Sequence, residues 1–184
     1  MIFVNKNKQK ILDEPLIVIA NHTSYLDIFM MYQILPMRHL VFMGKSEILK
    51  YPLIRTYFKY LHIPVDRSDK RKSAQSMLLA KKKLQEGYSI VIFPEGGIPD
   101  NQAPKMASFK LGAFVLAQKN QVPLVPITLK NHYLLLSEPQ YFKNSARPGI
   151  SHVYIHPVIS AVALNEKAAE FWMQETREHI SSKL

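Results

Sequence analysis

The 184-residue chain has no cysteine. This removes thiol nucleophiles, thiolate metal sites and disulfides together, and it fits a reducing compartment. Long hydrophobic runs are missing as well. The longest, such as Pro15 to Ala20 and Leu111 to Ala117, fall far short of the roughly 18 residues that span a bilayer. The N-terminal segment MIFVNKNKQK carries basic residues with no apolar core behind them, so it does not read as a secretory signal. There is no glycine-rich nucleotide loop, no Gly-x-Ser-x-Gly nucleophile elbow, no repeat and no low-complexity tract. A transmembrane protein and a secreted disulfide scaffold are both excluded at this level.

What is present is globular composition, with 47% hydrophobic and 21% charged residues, enough to bury a core without covalent staples. The length predicts a single domain over residues 1–184. Charge is unevenly placed. The net charge is +10, yet Arg38 to Glu86 alone holds 12 Lys+Arg against 4 Asp+Glu. That stretch suits an anionic partner, whether nucleic acid, a phospholipid surface or a phosphorylated substrate, unless it is only a solvated face. Lys81-Lys82-Lys83 reads as such a face.

Short β-branched runs alternate with helical patterns along the chain. Leu16–Ala20, His39–Met43, Leu61–Val65, Ser89–Phe93, Val122–Leu129 and Val153–Ile155 read as strands. Ser24–Leu35, Lys72–Glu86 with Gly87 as its stop, Ser108–Lys119 and Glu166–Ile180 read as helices, and Lys45–Tyr60 as an amphipathic stretch interrupted by Pro52. The alternation predicts an α/β fold: a mostly parallel central sheet flanked by helices on both faces. Chemistry in such sheets sits at strand ends.

Two strand ends carry loaded residues. After LIVIA comes Asn21-His22-Thr23-Ser24-Tyr25-Leu26-Asp27. A histidine acting as general base needs one ring nitrogen free and the other held by an acceptor, and a carboxylate five residues on, where a helix begins, reaches back to the ring. The competing reading is structural, because Ser24-x-x-Asp27 is also a capping box. After SIVIF comes Pro94-Glu95-Gly96-Gly97, in which a proline ends the ladder and glycines let backbone amides approach a ligand. The Glu95 carboxylate either orients an acceptor or organises the pocket.

Taken together, these segments resemble the glycerolipid acyltransferases, specifically the bacterial 1-acyl-sn-glycerol-3-phosphate acyltransferase family. His22 and Asp27 resemble its His-x-x-x-x-Asp motif, and Phe93 to Gly96 its second signature. Ile63 to Arg67, Phe109 to Ala113 and Val122 to Ile127 look like further blocks in the family's order. The resemblance implies direct transfer of a fatty acyl group from an acyl thioester, acyl-CoA or acyl-acyl carrier protein, to the hydroxyl of a lysophospholipid. His22 would be the base, Asp27 its support, and no cofactor or metal would be bound. Glu95, Gly96, Gly97, Arg67, Lys105 and Lys110 would face substrate, with the amides near Gly96-Gly97 at the oxyanion and the cations at the acceptor phosphate. Many relatives continue the second signature with Thr-Arg-Ser, whereas this chain has Gly97-Ile98-Pro99. Either Arg67, Lys105 and Lys110 compensate, or the acceptor is a different lysolipid, such as a lyso-aminolipid.

Many relatives also carry apolar helices before the histidine motif, and about fifteen residues precede LIVIA in this sequence. The expected anchor is therefore Lys45–Leu61, with Ile48, Tyr51, Ile54, Phe58 and Leu61 at spacings of three and four and with Lys50, Arg55 and Lys59 snorkelling to anionic headgroups. This predicts peripheral attachment on the cytoplasmic side of the membrane. The rival class is a basic membrane- or nucleic-acid-binding protein without catalysis. It lacks a zinc pattern, an RNP-type aromatic block or a base-reading helix, so no nucleic-acid partner is expected. A metal hydrolase would need a third ligand beside His22 and Asp27, and His152 with His156 lies in a strand-like segment ending in Pro157.

Overall fold

The computed structural model describes residues 2–5, 14–36, 39–50, 52–66, 68–99, 104–136 and 146–184. In chain order its elements are β1 (Ile2–Asn5), β2 (Ile17–Ala20), α1 (Leu26–Ile34), β3 (Leu40–Lys45), a 3-10 helix (Ser46–Lys50), α2 (Pro52–Leu61), β4 (Ile63–Val65), α3 (Lys70–Gln85), β5 (Ser89–Ile92), α4 (Gly112–Asn120), β6 (Leu124–Leu129), α5 (His132–Leu135), β7 (Ile150–Ile155), α6 (Ala161–Glu166) and α7 (Ala169–Ser181).

The strands form one seven-stranded sheet in the order β1-β7-β6-β2-β5-β3-β4. β2 is flanked by β5 and β6, both parallel to it, and β3 and β4 continue the parallel set. β7 runs antiparallel to β6, and β1 runs parallel to β7. The expected mostly parallel α/β sheet is therefore present, with a reversed pair at one edge. The five parallel strands all end on one side, so the segments after Ala20, Ile92 and Leu129 emerge together. Because β7 is reversed, its first residues, Ile150 and Ser151, come to the same side.

Alternation along the central strand sorts its side chains between two cores. Val18 and Ala20 join α1, Phe58 of α2 and Leu135 of α5 on one face, with Val125, Ile127, Leu129 and Val153. Ile17 and Ile19 join Ala80 and Leu84 of α3, Phe114 of α4, Leu164 of α6 and Ile180 of α7 on the other. All four residues of β2 are buried, which is why this strand reads as a continuous apolar run. Full burial of each large aliphatic side chain contributes about 1.5–3 kcal/mol.

The local departures from the sequence reading have identifiable causes. Pro52 begins α2 instead of interrupting a helix, since a first-turn proline forfeits no internal hydrogen bond. Helix α4 starts at Gly112, not Ser108, because Lys110 uses its backbone N–H on the Pro94 carbonyl at 2.9 Å. The last helix, read as Glu166–Ile180, starts at Ala169 as α7, and a short α6 not anticipated precedes it, with Ser160 capping α6 through the Ala163 N–H at 3.2 Å. Phe58 is a correction. It was expected at a membrane surface, but it is 4% exposed and its ring lies over Gly44, where an added Cβ would come within 2.8 Å of it. Its neighbour His62 stacks edge-on at 5.1 Å.

Burial lowers two histidines, His62 and His156, from 6.5 to about 4. Each is neutral in the folded chain at pH 6, whereas the unfolded chain begins to take protons there. The sign is therefore a stability fully present above about pH 6.5 and lost progressively as pH falls toward 4. A thermal-melt series across that window should show Tm falling with pH, and His62→Phe or His156→Phe should flatten the slope.

Candidate active site

The turn between β2 and α1 is built from polar residues that are nevertheless buried. Asn21 donates to the Leu129 carbonyl at 2.9 Å and accepts the Leu129 N–H at 2.8 Å, holding the ends of β2 and β6 together. His22 follows, 8% exposed. Its backbone N–H donates to Glu95 Oε1 at 2.8 Å, its Nδ1 meets Asp27 Oδ2 at 2.8 Å, and its ring stacks on Phe93 at 4.0 Å and 13°. No group among the described residues bonds its Nε2. The imidazole is thus fixed on one edge and one face, with the other nitrogen left for a substrate.

Asp27 is fully buried and uses both oxygens. Oδ2 accepts the backbone N–H of Thr23 at 2.7 Å and of Ser24 at 3.0 Å in addition to His22. The capping arm and the histidine support were competing readings of this carboxylate, and one oxygen does both. Oδ1 meets His132 Nδ1 at 2.6 Å. Burial alone would raise the Asp27 pKa, but the hydrogen bonds from His132 and His22 outweigh it and hold the carboxyl below its ordinary range.

Glu95 was expected to contact substrate; the fold gives it the other task considered, organising the pocket. Its Oε1 holds His22 through the backbone, and its Oε2 accepts the Ala107 N–H at 2.7 Å. Burial pushes its pKa up, and those two amides partly counter the rise. Gly96 adopts a φ of 93°, the left-handed region that glycine enters without strain, and its N–H closes a turn to Phe93. Gly97 stands in open space. Lys105 and Lys110 are exposed on the segment that packs back on this turn. Arg67 and Tyr51 lie outside the described residues, as do the side chains of Ile48 and Ile54.

A family model described as Acyltransferase matches residues 2–130, a span that contains both signatures.

The chain belongs to the acyltransferase family.

Within that family it is 31% identical over 173 residues to a 1-acyl-sn-glycerol-3-phosphate acyltransferase of Chlamydomonas reinhardtii, covering 94% of this chain and 49% of the relative. It is 34% identical to the yeast protein of that name, covering 73% of this chain and 44% of the relative. A bacterial protein of that name from Borreliella burgdorferi is 28% identical, covering 91% and 65%. The acyltransferase PlsC of Thermotoga maritima shares the fold, with a TM-score of 0.74 over 97% of this chain and 68% of that one, at 24% identity. The chain spans about half the length of the first of these relatives.

His132 was not anticipated. It is fully buried, 105 residues from Asp27 in sequence, and its Nε2 meets Ser151 Oγ at 2.5 Å. A signal was available: Asn21-His22 recurs as Asn131-His132 just beyond another parallel strand. Asn131 repeats the clamp as well, donating to the Ile150 carbonyl at 2.8 Å and accepting the His152 N–H at 2.9 Å. The short α5 is also tied to the first turn by Ser24 Oγ, which donates to the Leu136 carbonyl. His22 and Asp27 thus do have a third polar partner, but both of its ring nitrogens are engaged. Among the described residues no group of three or more His, Asp or Glu is placed to hold a metal ion.

Proposed function

We propose that this chain moves a fatty acyl group from an acyl thioester to the free hydroxyl of a lysophospholipid, with 1-acyl-glycerol-3-phosphate as acceptor and phosphatidic acid as product, a step of phospholipid biosynthesis. The observation that carries this reading is His22, held at Nδ1 by a buried carboxylate and open at Nε2 on a strand exit. Nε2 takes the acceptor's hydroxyl proton while that oxygen attacks the thioester carbonyl carbon. The tetrahedral intermediate collapses, the C–S bond breaks, and the departing thiolate takes the proton back from His22. Asp27 stays ionised and stabilises the transient imidazolium, as does the face of Phe93. No acyl-enzyme forms. The Gly97 N–H, beside the Gly96 N–H that closes the turn onto Phe93, faces the oxyanion, and Arg67, Lys105 and Lys110 supply charge for the acceptor phosphate. Acyl-CoA or acyl-acyl carrier protein is the donor. The names of the relatives support the acceptor class.

The acceptor is a membrane lipid, so the enzyme works at a surface. Among the described residues no helix is long and apolar enough to cross a membrane. We infer peripheral attachment to an anionic membrane through α2 and the 3-10 helix before it, on the cytoplasmic side where soluble thioesters are made. A groove of about 390 Å³ there is lined by Leu49, Lys50, Arg55, Thr56, Lys59 and Tyr60, three cations and no carboxylate among the described residues. Tyr60 and Leu61, 73% and 53% exposed, supply apolar contact beside it.

The test is a panel of lysolipids, including a lyso-aminolipid and an uncharged monoacylglycerol, offered in vesicles with either donor and with products identified by mass. Lysophosphatidic acid should be acylated fastest, more so on anionic than zwitterionic vesicles, with turnover falling as salt is added. Equal use of the uncharged acceptor would mean a different natural acceptor. Tight DNA or RNA binding with no acyl product would favour the non-catalytic class.

A further inference from the structure

The bond directions around Asp27 are fixed by groups that have no choice. The Thr23 and Ser24 backbone N–H groups can only donate, so Asp27 Oδ2 is an acceptor and carries no proton. The His22 nitrogen sharing that oxygen must then donate too, which places the His22 proton on Nδ1 and leaves Nε2 bare. On the other side of the carboxylate, Oδ1 faces His132 Nδ1 in a site with no solvent exposure at either residue. With Oδ1 accepting, His132 carries its proton on Nδ1, and its Nε2 accepts from the Ser151 hydroxyl. The polarity runs one way, from Ser151 through His132 to Asp27, and ends at the carboxylate that serves His22.

We propose that His132, its tautomer set by Ser151, is a positioning residue for acyl transfer: it holds the Asp27 carboxylate charged and rotated so that Oδ2 stays on the His22 ring. This rests on the acyl-transfer reading of the site. Without His132, Oδ1 would be a buried carboxylate oxygen with no donor, a state that favours protonation of Asp27 or rotation away from His22. Either change weakens the base. The charged and titratable groups facing Asp27 are His22 from the turn after β2, His132 from α5 and Glu95 from the loop after β5. Both Glu95 oxygens accept backbone N–H groups, so it cannot substitute for the lost donor. α5 is held at its two ends independently by the Asn131 and Ser24 bonds described above, so removing the imidazole leaves its backbone tethered.

His132→Phe and His132→Asn separate positioning from packing. Phenylalanine fills the space and removes the donor, whereas the asparagine amide falls near the Nδ1 position and keeps it. His132→Phe should lower kcat by up to about 10²-fold, the cost of a small misplacement at a base. Both KM values should be little changed, and the acid limb of the kcat/KM profile should move to higher pH. His132→Asn should recover most of kcat and restore the limb. A folded His132→Phe enzyme with wild-type kcat and pH profile would overturn the proposal, as would equal losses in both variants with the acid limb unmoved. Nitrogen-15 NMR of the wild-type chain gives a readout independent of turnover and of variant folding: His132 should be protonated at Nδ1 and bare at Nε2. The opposite tautomer overturns the assignment even in an active enzyme. Conversely, a wild type that acylates no acceptor defeats the functional reading, and the tautomer still judges the His132 geometry.

Discussion

His22→Ala should lower kcat for acyl transfer by about 10²–10⁴-fold or more, the range for losing a positioned general base, in a chain that still folds. The substitution removes a ring that bonds Asp27 and stacks on Phe93, but the anchors of the turn remain. The residue-22 N–H still donates to Glu95, Asn21 still binds Leu129, and Asp27 still accepts from two backbone amides and His132. Circular dichroism and melting should therefore show a modest stability change beside a near-total loss of turnover. A folded variant with unchanged turnover would remove His22 from the chemistry.

Asp27→Asn should cost nearly as much for a different reason. Asparagine has the same shape and keeps one acceptor oxygen, so the caps on Thr23 and Ser24 can survive. Its amide nitrogen can only donate. With its oxygen still capping, that nitrogen faces His132 Nδ1 and must turn the His132 tautomer around against Ser151. With the amide flipped, it faces His22 and forces the proton onto Nε2, where the base needs a lone pair. The flipped arrangement also points N–H groups at backbone N–H groups. Loss of charge removes the counter-ion for the imidazolium as well. Expected is a fall in kcat of about 10²–10⁴-fold with the acceptor KM changed far less. Asp27→Ala should show similar activity and lower stability, since it also strands the amides of Thr23 and Ser24. If the asparagine variant kept its turnover, Asp27 would be a cap alone.

The His22–Asp27 contact was legible in the sequence because both members lie within one strand–turn–helix unit, where a five-residue spacing sets a reach. The strands were legible for a similar reason: LIVIA and SIVIF are buried on both faces, so their apolar runs carry no polar interruption. β1 was not. Its four residues gain a partner only from β7, nearly 150 residues away, and MIFVN has no local pattern that announces a strand. The helix around Phe58 was legible as amphipathic, but periodicity does not say which side meets the core, and Gly44 decided that for Phe58 by leaving room for its ring.

Glu95 and His132 mark the boundary most clearly. A glutamate in a strand-exit turn offers a carboxylate to whatever is near, and sequence cannot say whether that is substrate or backbone. Only the parallel pairing of β2 with β5 brings the His22 amide to one of its oxygens, and the return of the segment before α4 brings the Ala107 amide to the other. His132 reaches Asp27 because β6 pairs with β2 on the opposite side and releases its chain at the same edge. The sequence by itself determined the family, the alternating fold and the His22–Asp27 pair, since each is encoded in local pattern or short spacing. Only the tertiary structure decided what surrounds that pair, because the order of strands in the sheet, set by burial of both faces at once, chooses which distant residues meet.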